Sequence, residues 1–265
     1  MFYLKKLFDF YIQSSIHVGL ALFSLVYVTT FENDLCKHIT YPCCVLFGTI
    51  LGYNFLKYFD IFRKGKFHSL KYYGIVIICF LAVFGFHFFF KRMINGIKIQ
   101  LIIGGLMVLL YPLLRKHGII KMFWVSFVIA YLTAFVFINA SPLFHGNVAL
   151  EFVKRFVFVS ALMIPFEIYD SQHDDKALNT LPQKFGIETA KKTGYILLFL
   201  FIILDVLNFH FNDNIRIQYL IIDIVIALFT GLAIYFSSLK RNQYYTSFWV
   251  ESVPILWWVL LLVFC

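Results

Sequence analysis

Apolar stretches of about 20 residues, separated by short charged or Gly/Pro/Asn-containing breaks, occupy most of this chain. A helix needs about 20 predominantly apolar residues to cross the hydrocarbon core of a bilayer. The spacing therefore predicts an all-α polytopic membrane protein with about nine transmembrane helices. No linker or internal repeat is evident, so we expect one domain over residues 1–265. The predicted spans run approximately over residues 10–30, 40–60, 71–90, 97–114, 121–140, 150–169, 193–210, 216–238 and 247–265.

The overall composition agrees with a membrane location. Hydrophobic residues make up 61% of the chain, charged residues make up 14%, and the mean hydropathy is +0.82. A soluble domain is about half apolar and about a quarter charged, so a soluble protein is excluded. The formal net charge of +9 comes from short basic clusters between apolar stretches, a pattern that sets topology. We expect membrane lipids around the protein and no nucleic acid as a partner.

The distribution of Lys and Arg predicts the orientation in the membrane. With a cytoplasmic N-terminus, 16 of the 23 basic residues fall on the cytoplasmic side and seven fall outside. The positive-inside rule thus favours a cytoplasmic N-terminus and an external C-terminus. Because the single compact domain shows no targeting extension, we expect the membrane to be a bacterial cytoplasmic membrane.

One acidic cluster interrupts the apolar pattern, in the segment FEIYDSQHDDKALNTLPQKFG of residues 166–186. Four of the chain's 14 acidic residues fall here within nine positions: Glu167, Asp170, Asp174 and Asp175. Asp170 and Asp174 are four residues apart, so on a helix they share a face and repel each other unless a cation lies between them. Mg²⁺ suits that position because it takes oxygen ligands, often only one or two carboxylates. A solvated helix end is the alternative interpretation.

The same segment resembles the second aspartate-rich motif of the UbiA superfamily of intramembrane prenyltransferases. Asp170 and Asp174 match its two aspartates, and Asn179 stands where a Gly is common. The tail of the motif is matched by Thr180, Leu181, Pro182 and Gly186. A second segment, LYPLLRK, resembles the family's Y-P-x-x-K-R segment through Tyr111, Pro112, Arg115 and Lys116.

This resemblance implies transfer of a polyprenyl group from its diphosphate to an aromatic or other lipophilic acceptor. Asp170 and Asp174 would be the catalytic residues and the Mg²⁺ ligands. Arg115 and Lys116 would contact phosphate, and Glu167 and Asp175 would add negative charge beside the substrate. Metal ions and basic groups stabilise a departing diphosphate, and an apolar cavity shelters the carbocation from water.

The family's first motif, approximately N-x-x-x-D-x-x-x-D, is altered in this chain. Asn54 is present in the corresponding segment NFLKYFDIF, but Tyr58 and Phe62 occupy the aspartate positions. Asp60 is two residues out of register, about 200° around a helix. Lys57, one turn after Asn54, is predicted to bind phosphate directly with Asn54 beside it, as a fixed cation. The alternative is a catalytically inactive UbiA-fold protein that binds or transports a lipid or an isoprenoid.

Three further acidic residues lie in or near predicted spans, where charge is costly. Glu251 is expected near the cytoplasmic end of the last span, where it either reaches the polar site or forms a hydrogen bond across a helix contact. Asp205 and Asp223 are expected near the outer ends of adjacent spans, with Arg216 between them in sequence. A structural ion pair is the predicted role there.

Overall fold

The computed structural model describes residues 2–33, 35, 38–63, 70–139, 147–211 and 216–265, and this part of the chain is helical without strands. The longer α-helices are α1 (Phe2–Gln13), α2 (Ile16–Glu32), α3 (Thr40–Arg63), α4 (Leu70–Lys91), α5 (Asn95–Leu114), α6 (Gly118–Ala130), α8 (Val148–Leu162), α11 (Ile187–Phe211), α12 (Ile217–Phe236) and α13 (Val253–Phe264). The short ones are α7 (Val136–Asn139), α9 (Ile164–Asp170) and α10 (Leu181–Phe185). Two π-helical turns, Tyr131–Phe135 and Tyr245–Val250, precede α7 and α13.

Six helical segments in the described ranges are long and apolar enough to cross a membrane. A seventh candidate is the pair α1–α2, which is bent by 58° between Gln13 and Ile16. The six are Leu70–Lys91, Asn95–Leu114, Gly118–Asn139, Ile187–Phe211, Ile217–Phe236 and Tyr245–Phe264. The all-helical architecture predicted from the sequence is therefore confirmed, whereas the count of nine spans is not.

The difference arises at the predicted spans 40–60 and 150–169. Both are helical, but α8 has only 15 residues and carries a cluster of charged side chains near its start. α8 ends at Leu162, and α9 begins at Ile164 with Pro165 in its first turn. These charged side chains lie inside the protein instead of facing lipid. Hydropathy therefore identifies the lipid-exposed helices more readily than the central one.

The core lies around α8, and α4 and α5 lie at its edge. Phe158 of α8 packs against Phe201 of α11 and Trp257 of α13, with ring centroids 5.2 and 4.7 Å from Phe158. All three side chains are fully buried. In contrast, α4 and α5 expose most of their apolar side chains, among them Phe80 and Leu106. Such a continuous apolar surface is suited to contact with lipid.

The break between α1 and α2 is held by two residues of α3. Ser15 adopts a left-handed conformation, with φ of 62°, which turns the chain between the two helices. Asn54 Nδ2 donates to the Ser14 carbonyl and Asn54 Oδ1 accepts from Ser15 Oγ, each at 2.8 Å. One turn later, Tyr58 Oη donates to the Gln13 carbonyl at 2.8 Å. These bonds satisfy backbone carbonyls at the helix break.

Candidate functional site

The acidic segment extends from the end of α9 into a helical turn. The Asp174 backbone N–H donates to the Asp170 carbonyl at 2.8 Å, so the two side chains remain one turn apart as predicted. Lys121, from the first turns of α6, reaches this turn. Its Nζ lies 2.5 Å from Asp174 Oδ2 and 3.5 Å from Glu167 Oε1. Residues from α6, α9 and the following turn thus form one cluster, called here the acidic site: Lys121, Glu167, Asp170 and Asp174.

The acidic site contains three carboxylates and one ammonium group. Glu167 is buried, and its Oε2 atom has no hydrogen-bond partner in the part of the chain that is described. No hydrogen bond or ion pair to the half-buried Asp170 side chain is found among the described residues either. Burial raises the pKa of Asp170, while the charge of Lys121 opposes this change and Asp174 adds to it. The site therefore has negative charge that one lysine does not balance.

A divalent cation fits this donor set. Mg²⁺ takes oxygen ligands and commonly uses one or two protein carboxylates, with water and phosphate oxygens completing its shell. Asp170 and Asp174 provide such a pair on adjacent turns, and a charge of +2 balances three carboxylates beside one lysine. Within the described ranges, no three His, Cys, Asp or Glu side chains are arranged to enclose a metal ion by themselves. The arrangement thus suits a metal bound jointly by protein and a phosphate ligand.

Close backbone packing fixes the acidic segment against α6. A Cβ added to Gly118 would lie 2.3 Å from the Leu178 carbonyl oxygen, so only glycine permits this approach. Asn179 is left-handed, with φ of 52°, which explains why Asn replaces the Gly that the UbiA motif commonly has here. Gln183 Nε2 donates to the carbonyls of Ser171 and Asp174 at 3.2 and 3.3 Å. These contacts set the distance between Lys121 and the acids.

The other residues of this region that are predicted to bind phosphate or substrate differ in their relation to the acidic site. Arg115 is exposed at the end of α5, and its charge acts on both Asp170 and Tyr111. Lys116 is also exposed, but no contact with the acidic site is found for it within the described ranges. Asp175 is exposed, and its Oδ1 accepts from the Ala177 backbone N–H at 3.0 Å. It therefore caps the short turn that follows instead of facing the acidic site.

In the segment corresponding to the first UbiA motif, one predicted substrate-binding residue is buried and the other is accessible. Asn54 is 2% exposed, and both of its polar groups serve the α1–α2 break. The geometry therefore gives Asn54 a positioning role, in place of the predicted substrate contact. Lys57 lies on the accessible side of α3 and interacts electrostatically with Glu251. The side chains of Asp60 and Phe62 lie outside the described residues.

Glu251 connects this segment with the acidic site. It directly follows the π-helical turn Tyr245–Val250, and its charge acts on Tyr53 and Lys57 of α3. Tyr53 also interacts electrostatically with Asp170. The side chain of Tyr53 remains 42% accessible. Glu251 and Lys57 thus interact with each other, and Tyr53 interacts with both Glu251 and Asp170.

Sequence reasoning missed the cationic partners of the buried acids. Lys121, Lys154 and Arg155 were counted as topology-setting charges, yet they are 6%, 2% and 1% exposed. The predicted ion pair of Asp205 and Asp223 involves Lys154, whose Nζ lies 3.0 and 3.5 Å from them. No local spacing links these lysines to acids more than 40 residues away. The signals available were their position near the edges of predicted spans and, for Lys154, the acid Glu151 three residues earlier.

Comparisons with known proteins provide an independent view of the fold. No protein-family model and no curated protein sequence matches the chain. Among solved structures, a UbiA homologue from Archaeoglobus fulgidus bound to GPP and Mg²⁺ superposes with a TM-score of 0.66 at 15% identity, covering 96% of this chain and 98% of that one. An apo UbiA homologue from Aeropyrum pernix K1 gives 0.67 at 13% identity, covering 93% and 98%. A digeranylgeranylglyceryl phosphate synthase gives 0.59 at 17% identity, covering 98% and 97%. The chain therefore has the fold of the UbiA homologues over nearly its whole length.

Proposed function

We propose that the protein is a UbiA-type prenyltransferase that transfers a polyprenyl group from its diphosphate to an aromatic or other lipophilic acceptor. The observation that carries the proposal is the acidic site, in which Asp170 and Asp174 share one face beside Lys121 and leave negative charge unbalanced. The homologue from Archaeoglobus fulgidus was solved with GPP and Mg²⁺ in the same fold. The conjunction of fold and acidic site supports a diphosphate substrate.

Each residue of the acidic site has a distinct role in this proposal. Asp170 and Asp174 would hold Mg²⁺, which would supply positive charge for the departing diphosphate. Lys121 fixes the orientation of Asp174 through its 2.5 Å contact and lies 3.5 Å from Glu167 Oε1. Arg115, whose charge already acts on Asp170, contacts phosphate from the end of α5. The surrounding apolar helices keep water away from the carbocation.

Lys57 takes over part of the role of the altered first motif. It lies on the accessible side of α3 and interacts electrostatically with Glu251. A fixed ammonium group binds a phosphate oxygen without a second metal ion. The proposal therefore needs one Mg²⁺ site, at Asp170 and Asp174, and one lysine on the opposite side of the diphosphate.

A second candidate function is an inactive UbiA-fold protein that binds an isoprenoid or another lipid. The specific observation in its favour is Tyr58, which occupies an aspartate position of the first motif and is committed to the Gln13 carbonyl. A protein that only binds a lipid needs no ionisation of a diphosphate. The two functions differ in their dependence on Mg²⁺ and on the acidic site.

The test is binding of farnesyl and geranylgeranyl diphosphate to the purified protein, with and without Mg²⁺. We expect Mg²⁺-dependent binding that is lost in the double variant Asp170→Asn/Asp174→Asn. The exposed Glu188→Gln variant, in the first turn of α11, is a matched charge control and should bind as the wild type does. Wild-type binding would then justify a screen of aromatic acceptors for prenylated products.

Two other outcomes would contradict parts of the proposal. Binding that is independent of Mg²⁺ but lost in Lys57→Ala would contradict the metal site. It would identify Lys57 as the phosphate ligand. Absence of diphosphate binding in every condition would contradict the prenyltransferase function and favour the second candidate.

A further inference from the structure

A second buried charge cluster surrounds Lys154, separate from the acidic site. Lys154 Nζ lies within 4 Å of four carboxylates that come from α2, α8, α11 and α12. These are Glu32 at 3.1 Å, Glu151 at 3.7 Å, Asp205 at 3.0 Å and Asp223 at 3.5 Å. All five residues are 5% exposed or less. Lys154 precedes Asp170 by 16 residues, about 24 Å along a helical path, so this is a different site.

The cluster, called here the Lys154 cluster, has more acidic than basic groups. Its second cation is Arg155, whose Nη2 lies 3.9 Å from Glu32 Oε2 and donates to Thr29 Oγ1 at 3.1 Å. Four carboxylates therefore face two cations in the interior of an apolar bundle. An unpaired buried carboxylate is strongly unfavourable, and such a group binds a proton instead. The charge count alone calls for at least one bound proton.

The individual contacts show where that proton belongs. Glu32 has both cations nearby, and Glu151 accepts a hydrogen bond from Asn208 in addition to its contact with Lys154. Asp205 is within 3.0 Å of Lys154 Nζ. Asp223 is farther from Lys154, at 3.5 Å, and both Asp carboxylates therefore approach the same Nζ atom. Two buried carboxylates beside one ammonium group repel each other strongly when both are ionised.

Unpartnered polar atoms in the same cluster provide a second observation. Asp205 Oδ2, Asp223 Oδ1 and Glu32 Oε1 are buried and have no hydrogen-bond donor within the described ranges. Arg155 is 1% exposed, and its Nε and Nη1 atoms also have no hydrogen-bond partner among the described residues. A proton on one Asp turns an acceptor into a donor and reduces the repulsion between the two carboxyl groups. A metal ion does not fit equally well, because the Lys154 ammonium already lies among the carboxylates.

We propose that the Lys154 cluster is a proton-binding site, in which Asp205 and Asp223 share one proton that resides mainly on Asp223. Asp205, at 3.0 Å, is the carboxylate nearest to Lys154 Nζ. Intramembrane carboxylates with this arrangement commonly mark functional proton sites. The site is independent of prenyl transfer, since none of its residues contributes to the acidic site.

Infrared spectroscopy tests the proposal directly. A protonated carboxyl group has a C=O stretching band that shifts in D₂O, and the purified wild-type protein should show this band at neutral pH. Asp223→Asn should lose one component of the band, and so should Asp205→Asn, because the remaining single Asp then ionises beside Lys154. Glu188→Gln, which alters an exposed carboxyl group outside the cluster, should keep that component. Retention of the component in both Asp variants would overturn the proposal.

Thermal stability provides a second readout that does not depend on the spectrum. Asn mimics a neutral carboxyl group, so Asp223→Asn should melt within about 3 °C of the wild type. A decrease of more than about 6 °C would indicate that an ionised partner of Lys154 had been lost, and would contradict the assignment to Asp223. Na⁺ and Ca²⁺ should leave the melting temperature unchanged. Stabilisation by either ion that Asp223→Asn abolishes would show a metal site instead.

Discussion

Lys121 Nζ lies 2.5 Å from Asp174 Oδ2, although the two residues are 53 positions apart in the chain. The same ammonium group is 3.5 Å from Glu167 Oε1. This relationship brings α6 onto the acidic segment and leaves Asp170 as the carboxylate without an ion pair among the described residues. The Mg²⁺ that we propose at Asp170 and Asp174 would lie beside the ammonium group of Lys121.

Lys121→Met should destabilise the protein and increase its response to Mg²⁺. Removing the cation leaves Glu167 and Asp174 unpaired in a mostly buried position, at a cost of about 3–5 kcal/mol. Bound Mg²⁺ offsets part of this cost, so it should raise the melting temperature of the variant more than that of the wild type. Lys192→Met, an exposed change on α11, serves as the control. An equal response to Mg²⁺ in all three proteins would argue against metal binding at these carboxylates.

Gly118→Ala should separate α6 from the acidic segment. The new Cβ would lie 2.3 Å from the Leu178 carbonyl oxygen, and backbone atoms must move to relieve the contact. We expect a loss of about 1–3 kcal/mol in stability and weaker Mg²⁺-dependent diphosphate binding. Gly105→Ala is the matched control on α5, because a Cβ there meets nothing within 4 Å. The control should be neutral or stabilising, since Ala favours a helix over Gly by about 1 kcal/mol. Comparable melting temperatures for the two variants would contradict the close approach.

Asn179→Gly should leave folding and diphosphate binding nearly unchanged, whereas Asn179→Val should impair both. The residue has φ of 52°, which Gly adopts freely and which a β-branched residue adopts only at a cost of about 1–2 kcal/mol. Asn179 is exposed, so lost packing contributes little to the difference. Melting temperatures and binding isotherms of the two variants provide the comparison. If Val is tolerated as well as Gly, the left-handed turn is not required.

Tyr58→Asp should fail to restore a first-motif metal site. Tyr58 is 4% exposed and its hydroxyl donates to the Gln13 carbonyl, so a carboxylate at this position would be buried beside an acceptor. We expect a large loss of thermal stability without any gain in Mg²⁺ affinity. Tyr58→Phe, which removes only the hydrogen bond, should cost about 1 kcal/mol. Tighter Mg²⁺ binding by Tyr58→Asp, measured by titration calorimetry, would show instead that position 58 faces the acidic site.

Much of the acidic site follows from local sequence. The spacing of Asp170 and Asp174 predicts a shared face, and the hydrogen bond from Asp174 N–H to the Asp170 carbonyl preserves the helical turn that this requires. The presence of Asn179 where Gly is common is also explained locally, since Asn and Gly both adopt a left-handed conformation. Short-range geometry depends on the residues themselves, and the sequence displays them directly.

The role of Asn54 was predicted less well, because it depends on a distant partner. Its helix position agrees with the family motif, yet both of its polar groups bind the backbone and side chain of Ser14 and Ser15. Hydrogen-bond partners 39 or 40 residues away leave no periodic signal in one sequence. Asn54 was therefore assigned to the substrate by resemblance, whereas the tertiary contacts assign it to the bend between α1 and α2.

The sequence by itself determined the helical membrane architecture and the position of the acidic segment, because hydropathy and helical periodicity are properties of neighbouring residues. Tertiary structure alone decided which charges are paired. The sequence predicts that Lys121 and Lys154 lie at the membrane edge, but packing buries them among carboxylates from other helices. In an apolar interior a charge is tolerated only with a partner, and that partner is chosen by the packing of helices.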